Sequence, residues 1–299
     1  MAPPWILLDR NVKFVMPRQT SGEGKRPSVE FDPTRRMSTL YEDITQSMVD
    51  KLHAMKPDPQ ALEPPELSHL SMVNEMGADL SQGHISSSDK ALVALYAGRY
   101  RSGSGTPKSG CYLVYDASDS SLCAIPQLPD RDRHTFRALG YSATILSLGK
   151  GSYVLAELVK LTSGFPDAYP FVWHSRRPNQ QEPWIIKKVR LPAQVIIRYF
   201  NFTIHMVFIH TESRVCWVDL LKGILVCNPV TGTEFTFVPL SLRCYIESDT
   251  GVLGRPGDFR TLGSVCDAIK FVTLEGLNEA CSKKEVTMKT WTLSHDLKD

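Results

Sequence analysis

An aspartate, Asp219, sits inside the apolar run CWVDLLKGILVC, from Cys216 to Cys227. A carboxylate in such a setting has two uses. Held in a low-dielectric site, it can carry a raised pKa and exchange protons as a general acid or base. Standing directly before a turn at Leu220–Gly223, it can instead accept hydrogen bonds from the turn amides. Its place at the end of the strand favours the turn. Cys216 could act as a nucleophile with a distant histidine. Cysteine is among the most buried residue types, however, and the chain's six others lie in similar strand contexts, so a core role is expected. His205 and His210 are the closest histidine pair. Five residues apart on a strand, they point to opposite faces and cannot share a metal ion. Trp217 and Trp291 read as core aromatics in matching strands rather than as a platform for stacking bases.

Other chemical motifs fail on their surroundings. SGEGKR (Ser21–Arg26) resembles a phosphate loop, but Gly24-Lys25 is followed by Arg26 and Pro27 where magnesium binding needs Ser or Thr and a helix start. A hairpin turn fits it better. Gly103 and Gly105 are likewise followed by no helix, and no G-x-S-x-G elbow occurs. No catalytic, cofactor-binding or metal-ligating residue is therefore assigned, and no cofactor is expected.

The elements that would position these residues are short strands. Val215–Asp219 and Ile224–Cys227 flank a turn closed by Gly223, and Asn228–Gly232 makes a second turn before a strand at Thr233–Val238 that Pro239 ends. Gly223 and Gly232 are expected to hold positive φ. Apolar residues occupy both faces of the first two strands, so this three-stranded meander should lie between two neighbours. The same strand–turn–strand–proline order recurs in CYLVYD with LCAIPQLP, in Phe171–Trp173 with WIIKKVRLP, and in Ser264–Leu274 with VTMKTWTL. Proline-marked ends at intervals of roughly 50–60 residues suit the blades of a propeller. One segment breaks the pattern. Thr39 and Glu42 form a capping box, and Leu40, Ile44, Met48, Leu52 and Met55 make an amphipathic helix stopped by Lys56-Pro57-Asp58-Pro59. Arg101–Gly110 reads as a flexible loop.

At 299 residues, with 42% hydrophobic and 22% charged residues, the chain can bury a large core. Its 34 basic and 32 acidic residues leave a net charge of +2. The densest basic clusters are the pairs Arg35-Arg36, Arg176-Arg177 and Lys187-Lys188, too little for a nucleic-acid footprint. MAPPWILLDRNVKF lacks the apolar core of a secretory signal, and Arg198, Asn201 and His205 interrupt the apolar segment Ala193–His210. The sequon Asn201-Phe202-Thr203 is then expected to be unused. Seven scattered cysteines without a C-x-x-C pair suit a reducing compartment.

WVDLLKGILVCNPVTG, WILLDR at Trp5–Arg10, YLVYDA at Tyr112–Ala117 and TWTL at Thr290–Leu293 together resemble the plant proteins carrying domain of unknown function 1618, a family expanded in grasses. W-V-D-x-x-x-G-I-L is the most specific of these landmarks. The resemblance implies a β-rich, propeller-like architecture akin to F-box-associated domains, and it brings no established catalytic residues. The helix near residues 40–55 departs from the family pattern, and relatives usually continue beyond the TWTL strand. No F-box-like leucine–proline helical motif occurs.

The expected fold is therefore mainly β: propeller-like stacked antiparallel meanders, closed or incomplete, with one amphipathic helix near the N-terminus. Residues 1–35 would contribute N-terminal strands to the β-domain, 36–75 a helix-containing insertion and proline-rich connection, and 76–299 the propeller-like β-domain itself. Trp5–Arg10 or Lys13–Met16 should pair with the C-terminal strands and protect their edge. The expected function is a non-enzymatic protein-interaction or scaffold module. Its partner would be a protein, with neither nucleic acid nor membrane, in the cytoplasm or nucleus. The alternative is a small-molecule-binding or hydrolytic enzyme whose site assembles from separated loops.

Overall fold

A computed structural model describes residues 7–15, 55–73, 83–98, 110–125, 136–161, 167–175, 184–198, 202–211, 213–230, 234–241, 244, 255–266, 268–276 and 286–293. The chain is mainly β and divides into two units, 1–85 with 93–127, and 86–92 with 128–299. The expected helix near residues 40–55 and its Thr39–Glu42 cap lie outside the described residues, apart from Met55. Met55 itself is buried and non-helical. SGEGKR, Gly103, Gly105 and Gly232 also lie outside them.

The first unit is built on one sheet. Its strands are β1 (Leu7–Leu8), β2 (Asn11–Val15), β3 (Lys56–Gln60), β4 (Leu67–Val73), β5 (Gly83–Asp89), β6 (Leu92–Gly98), β7 (Gly110–Asp116) and β8 (Ser121–Ile125), with the end of β5 and the start of β6, residues 86–92, counted in the second unit. They run in the order β1-β4-β2-β5-β6-β7-β8, with β3 added to β4. The proline-rich stretch read as a helix stop is thus a strand. Pro57 and Pro59 alternate with residues that can donate, so the two missing N–H groups face away from β4, which only an edge strand tolerates. Among the described residues the N-terminal strands pair within their own sheet, not with the C-terminal strands as expected. Instead β1 and β2 run parallel to β4, and β2 also pairs with β5. The apolar alternation of β2 finds its cover locally, as Val12 packs with Leu70, Met72, Ile85, Leu95 and Leu113.

The second unit holds three antiparallel sheets. The first comprises β9 (Phe136–Gly149), β10 (Ser152–Leu161), β11 (Asp167–His174), β12 (Trp184–Ile186) and β13 (Val189–Arg190). A six-residue helix α1 (Ala193–Arg198) follows Pro192. Next come β14 (Met206–His210), β15 (Arg214–Asp219), β16 (Gly223–Cys227) and β17 (Thr236–Pro239), and last β18 (Arg260–Val265), β19 (Ala268–Glu275) and β20 (Thr287–Leu293). The β9–β10 hairpin, the longest, turns at Gly149, Lys150 and Gly151, all with positive φ. Ser264–Leu274, read as one strand, is the second half of a hairpin. Cys266 turns the chain with φ 48°, a conformation that a non-glycine residue rarely signals in sequence.

The two-faced meander behaves as its composition requires. Val215, Trp217, Leu225, Cys227, Phe235 and Phe237 pack toward the β9–β13 sheet. Cys216, Val218, Ile224 and Val226 pack on the other side, against Leu262, Ile269 and Phe271 of the β18–β20 sheet. Every residue of β16 is buried. The sheet is therefore the middle layer of three.

Gly223 does not hold positive φ; it is glycine because there is no room for a side chain. A Cβ there would meet the Val238 carbonyl oxygen at 2.5 Å and the Phe237 ring at 2.7 Å. A backbone oxygen cannot swing aside, so Gly223→Ala should lower stability by about 1–3 kcal/mol through overpacking. Gly263 has nothing within 4 Å of its would-be Cβ. Gly263→Ala should therefore stay within about 0.5 kcal/mol of wild type, and urea midpoints of the two variants provide the comparison.

Candidate functional site

Four polar side chains of the second unit, those of His205, Asp219, Lys222 and Arg260, meet at the turn between β15 and β16. Hairpin pairing explains how. Met206 pairs with Val218, so one step further along the same register His205 arrives opposite Asp219, which in turn pairs with Gly223. Asp219 is only 1% exposed. Its Oδ1 accepts the Leu221 amide at 2.9 Å, and its Oδ2 accepts the Thr203 amide at 2.9 Å. The Lys222 ammonium stands 3.7 Å from Oδ2, and His205 Nδ1 stands 3.6 Å from Oδ1. The turn-bonding role expected for Asp219 is met, with a second bond from Thr203 added.

The backbone of the turn is held as firmly as its carboxylate. Lys222 donates its amide to the Asp219 carbonyl at 3.0 Å, and the Lys222 carbonyl accepts from Leu240 at 2.9 Å. The Leu220 amide donates to His205 Nδ1 at 3.2 Å. From β18, Arg260 donates to the Leu220 carbonyl at 2.9 Å while its guanidinium lies over the Phe259 and Phe271 rings. One three-residue turn thus takes bonds from β17's end, β18 and the segment before β14.

His205 shows why this cluster is not a proton relay. Burial, the largest influence, holds its pKa below the ordinary histidine value; Asp219 pulls it up and Lys222 pushes it down again. The neutral ring carries its proton on Nε2, because Nδ1 is already accepting from Leu220. A relay pair needs Nδ1–H to donate to the carboxylate, the reverse of this arrangement. His210 lies elsewhere, buried on β14 with Nδ1 2.9 Å from the Ser264 hydroxyl of β18. Among the described residues no group of three or more His, Cys, Asp or Glu side chains could hold a metal ion.

The cysteines and tryptophans are part of the packing. Cys216 is fully buried, and burial pushes its thiol up to about 12; the same effect pushes Cys227 to about 11. Thiolate, the nucleophilic form, is then scarce at neutral pH. Trp217 is fully buried against Phe235, and Trp291 stacks obliquely on Phe271. Sequence reasoning singled out Asp219 but missed His205 and Arg260 as its neighbours. His205 follows from the register of β14 on β15; Arg260 comes from another sheet and left no local trace.

A mainly β chain with stacked antiparallel sheets and a buried, fully bonded carboxylate at one turn is the class that these observations define. Residues 217–299 match the family model described as "Protein of unknown function (DUF1618)". The match starts at Trp217, so it opens on the W-V-D-x-x-x-G-I-L motif whose aspartate and glycine build this turn. No curated protein and no solved structure matches the chain. Among the described residues no helix is long and apolar enough to cross a membrane.

Asp219→Ala should cost about 2–5 kcal/mol, since the part-buried Leu221 and Thr203 amides lose this acceptor and Lys222 loses the buried carboxylate beside it. Asp219→Asn should be milder but should move the His205 pKa further down, because the carboxylate is what pulls it up. Denaturant midpoints and a histidine NMR titration measure the two effects.

Proposed function

We propose that this chain is a non-enzymatic protein-interaction module of the plant family carrying domain of unknown function 1618, built as a propeller-like stack of antiparallel meanders. Strand placement supports the architecture. In each sheet of the second unit the first strand lies at one edge, and β14 runs beside both β9 and β18. That arrangement suits innermost strands gathered about a common axis. Free thiols at Cys123, Cys216, Cys227, Cys244 and Cys266 speak for an intracellular, reducing setting.

The observation that carries the functional reading is the contrast between the middle and last sheets. Both faces of the middle sheet are covered, whereas the outer face of β18–β20 carries exposed apolar side chains among the described residues. Met288 is 69% exposed, Val265 54% and Val286 50%, and Val272 and Leu274 are only half-buried on the same side. Thr261, Lys270, Thr290 and Thr292 interleave with them. Exposed apolar residues interleaved with threonine and lysine on a sheet face suit a protein partner. Asp219, the carboxylate singled out for acid–base chemistry, is meanwhile engaged in bracing its turn.

The experiment is affinity capture from plant tissue with wild type and the double variant Val286→Asp, Met288→Asp. Both positions are exposed, so the variant should keep its denaturation midpoint within about 0.5 kcal/mol. The expected result is a specific protein retained by wild type and lost by the variant. Equal retention by the two, or turnover of a substrate in a broad screen, overturns the proposal.

A further inference from the structure

The Leu220–Lys222 turn is closed by a titratable acceptor. His205 Nδ1 takes the Leu220 amide and lies 3.6 Å from Asp219 Oδ1, so a single ring nitrogen faces one donor and one acceptor. Neutral imidazole can satisfy only the donor; imidazolium can satisfy only the acceptor. We propose that His205 is a pH-operated latch on this turn, closed when the imidazole is neutral and opened when it takes a proton from solvent at Nδ1. On opening, the Leu220 N–H loses its acceptor, while the new Nδ1–H donates to Asp219 Oδ1 and competes there with the Leu221 amide. Nε2 keeps its proton throughout.

The groups around the ring decide where the latch works. Asp219 from the end of β15 favours the open, charged form. Lys222 from the turn and burial of the ring favour the closed one, and burial is the largest influence. Arg260 of β18 reaches the same turn from its carbonyl side. The latch is therefore closed at neutral pH, and it opens below the ordinary histidine value. A folded-state pKa below the unfolded one means that His205 contributes stability above about pH 6.5, and that this is lost as pH falls toward the folded value.

Opening reaches beyond the turn. The Leu220 carbonyl is the acceptor for Arg260, the hydrogen bond that ties β18 to the β15–β16 hairpin. A turn freed at its amide holds that carbonyl less firmly, so the last sheet is loosened from the middle one in acid.

Amide hydrogen exchange between about pH 8 and about pH 5, corrected for the intrinsic pH dependence of exchange, tests the latch. Protection of Leu220 should fall by up to about tenfold per pH unit as the folded pKa is approached, because the open population grows by that factor. In His205→Asn the amide oxygen can accept the Leu220 N–H without titrating, so the pH slope should vanish. In Lys222→Met the loss of a neighbouring positive charge should start the opening at higher pH. The same slope in His205→Asn as in wild type overturns the proposal, as does an unshifted onset in Lys222→Met. Should His205→Asn fail to fold, the NMR titration of His205 in wild type and Lys222→Met decides: a pKa that does not rise in the variant overturns it.

Discussion

A carboxylate removed from water must be surrounded by donors, or the fold that buries it does not form. Asp219 meets that constraint with groups from the residues before β14, from its own turn and from Lys222. The hydration it gives up is worth several kcal/mol, so each donor must be in place together. Meeting the demand sets the register of β14 against β15 and the shape of the turn. It also sets the close approach of β17 that leaves Gly223 no room for a Cβ. The β15–β16 hairpin is then a rigid edge on which Arg260 of the next sheet can fasten.

Around this polar knot, the packing is that of a layered sheet stack. β15 and β16 send alternate residues to opposite cores, Trp217 and Leu225 one way, Val218 and Ile224 the other. Polar side chains then tie segments of the second unit together, residues 86–92 among them. Ser86 donates to the Ala143 carbonyl, while Ser87 and Asp89 accept the Ile145 and Ser147 amides of β9. His210 and Ser264 join β14 to β18. Such bonds add direction to contacts that apolar burial alone would leave free to slide.

Several residues of reactive type are built into the packing. The Cys216 and Cys227 thiols lie in opposite cores on adjacent strands, and their burial keeps them protonated. The Arg260 guanidinium is packed over aromatic rings while it braces a carbonyl. What is left accessible on the last sheet is surface of another kind, apolar and threonine-rich.

Much of this was written in local sequence. Alternation and turn residues located β7, β8, β15 and β16, and the two apolar faces of Val215–Cys227 required a neighbour on each side. The placement of Asp219 before its turn indicated its hydrogen bonds, because an acceptor and the amides it meets are two residues apart. Other features had no local signature. The turn at Cys266 uses a left-handed non-glycine residue, and the strand at Lys56–Gln60 carries two prolines that only an unpaired edge allows. Gly223 was legible as a necessary glycine, yet for the wrong reason: local sequence suggests a backbone angle, whereas a carbonyl from β17 excludes the side chain. The destination of β1 and β2, beside β4, rests on pairing with residues some sixty positions further along the chain. His205 and Arg260 meet Asp219's turn only through strand register and sheet stacking. By itself, then, the sequence determined the local conformations and which faces had to be dry. The tertiary structure decided which strands met and which charges met at the turn, because those choices rest on contacts between residues far apart in the chain.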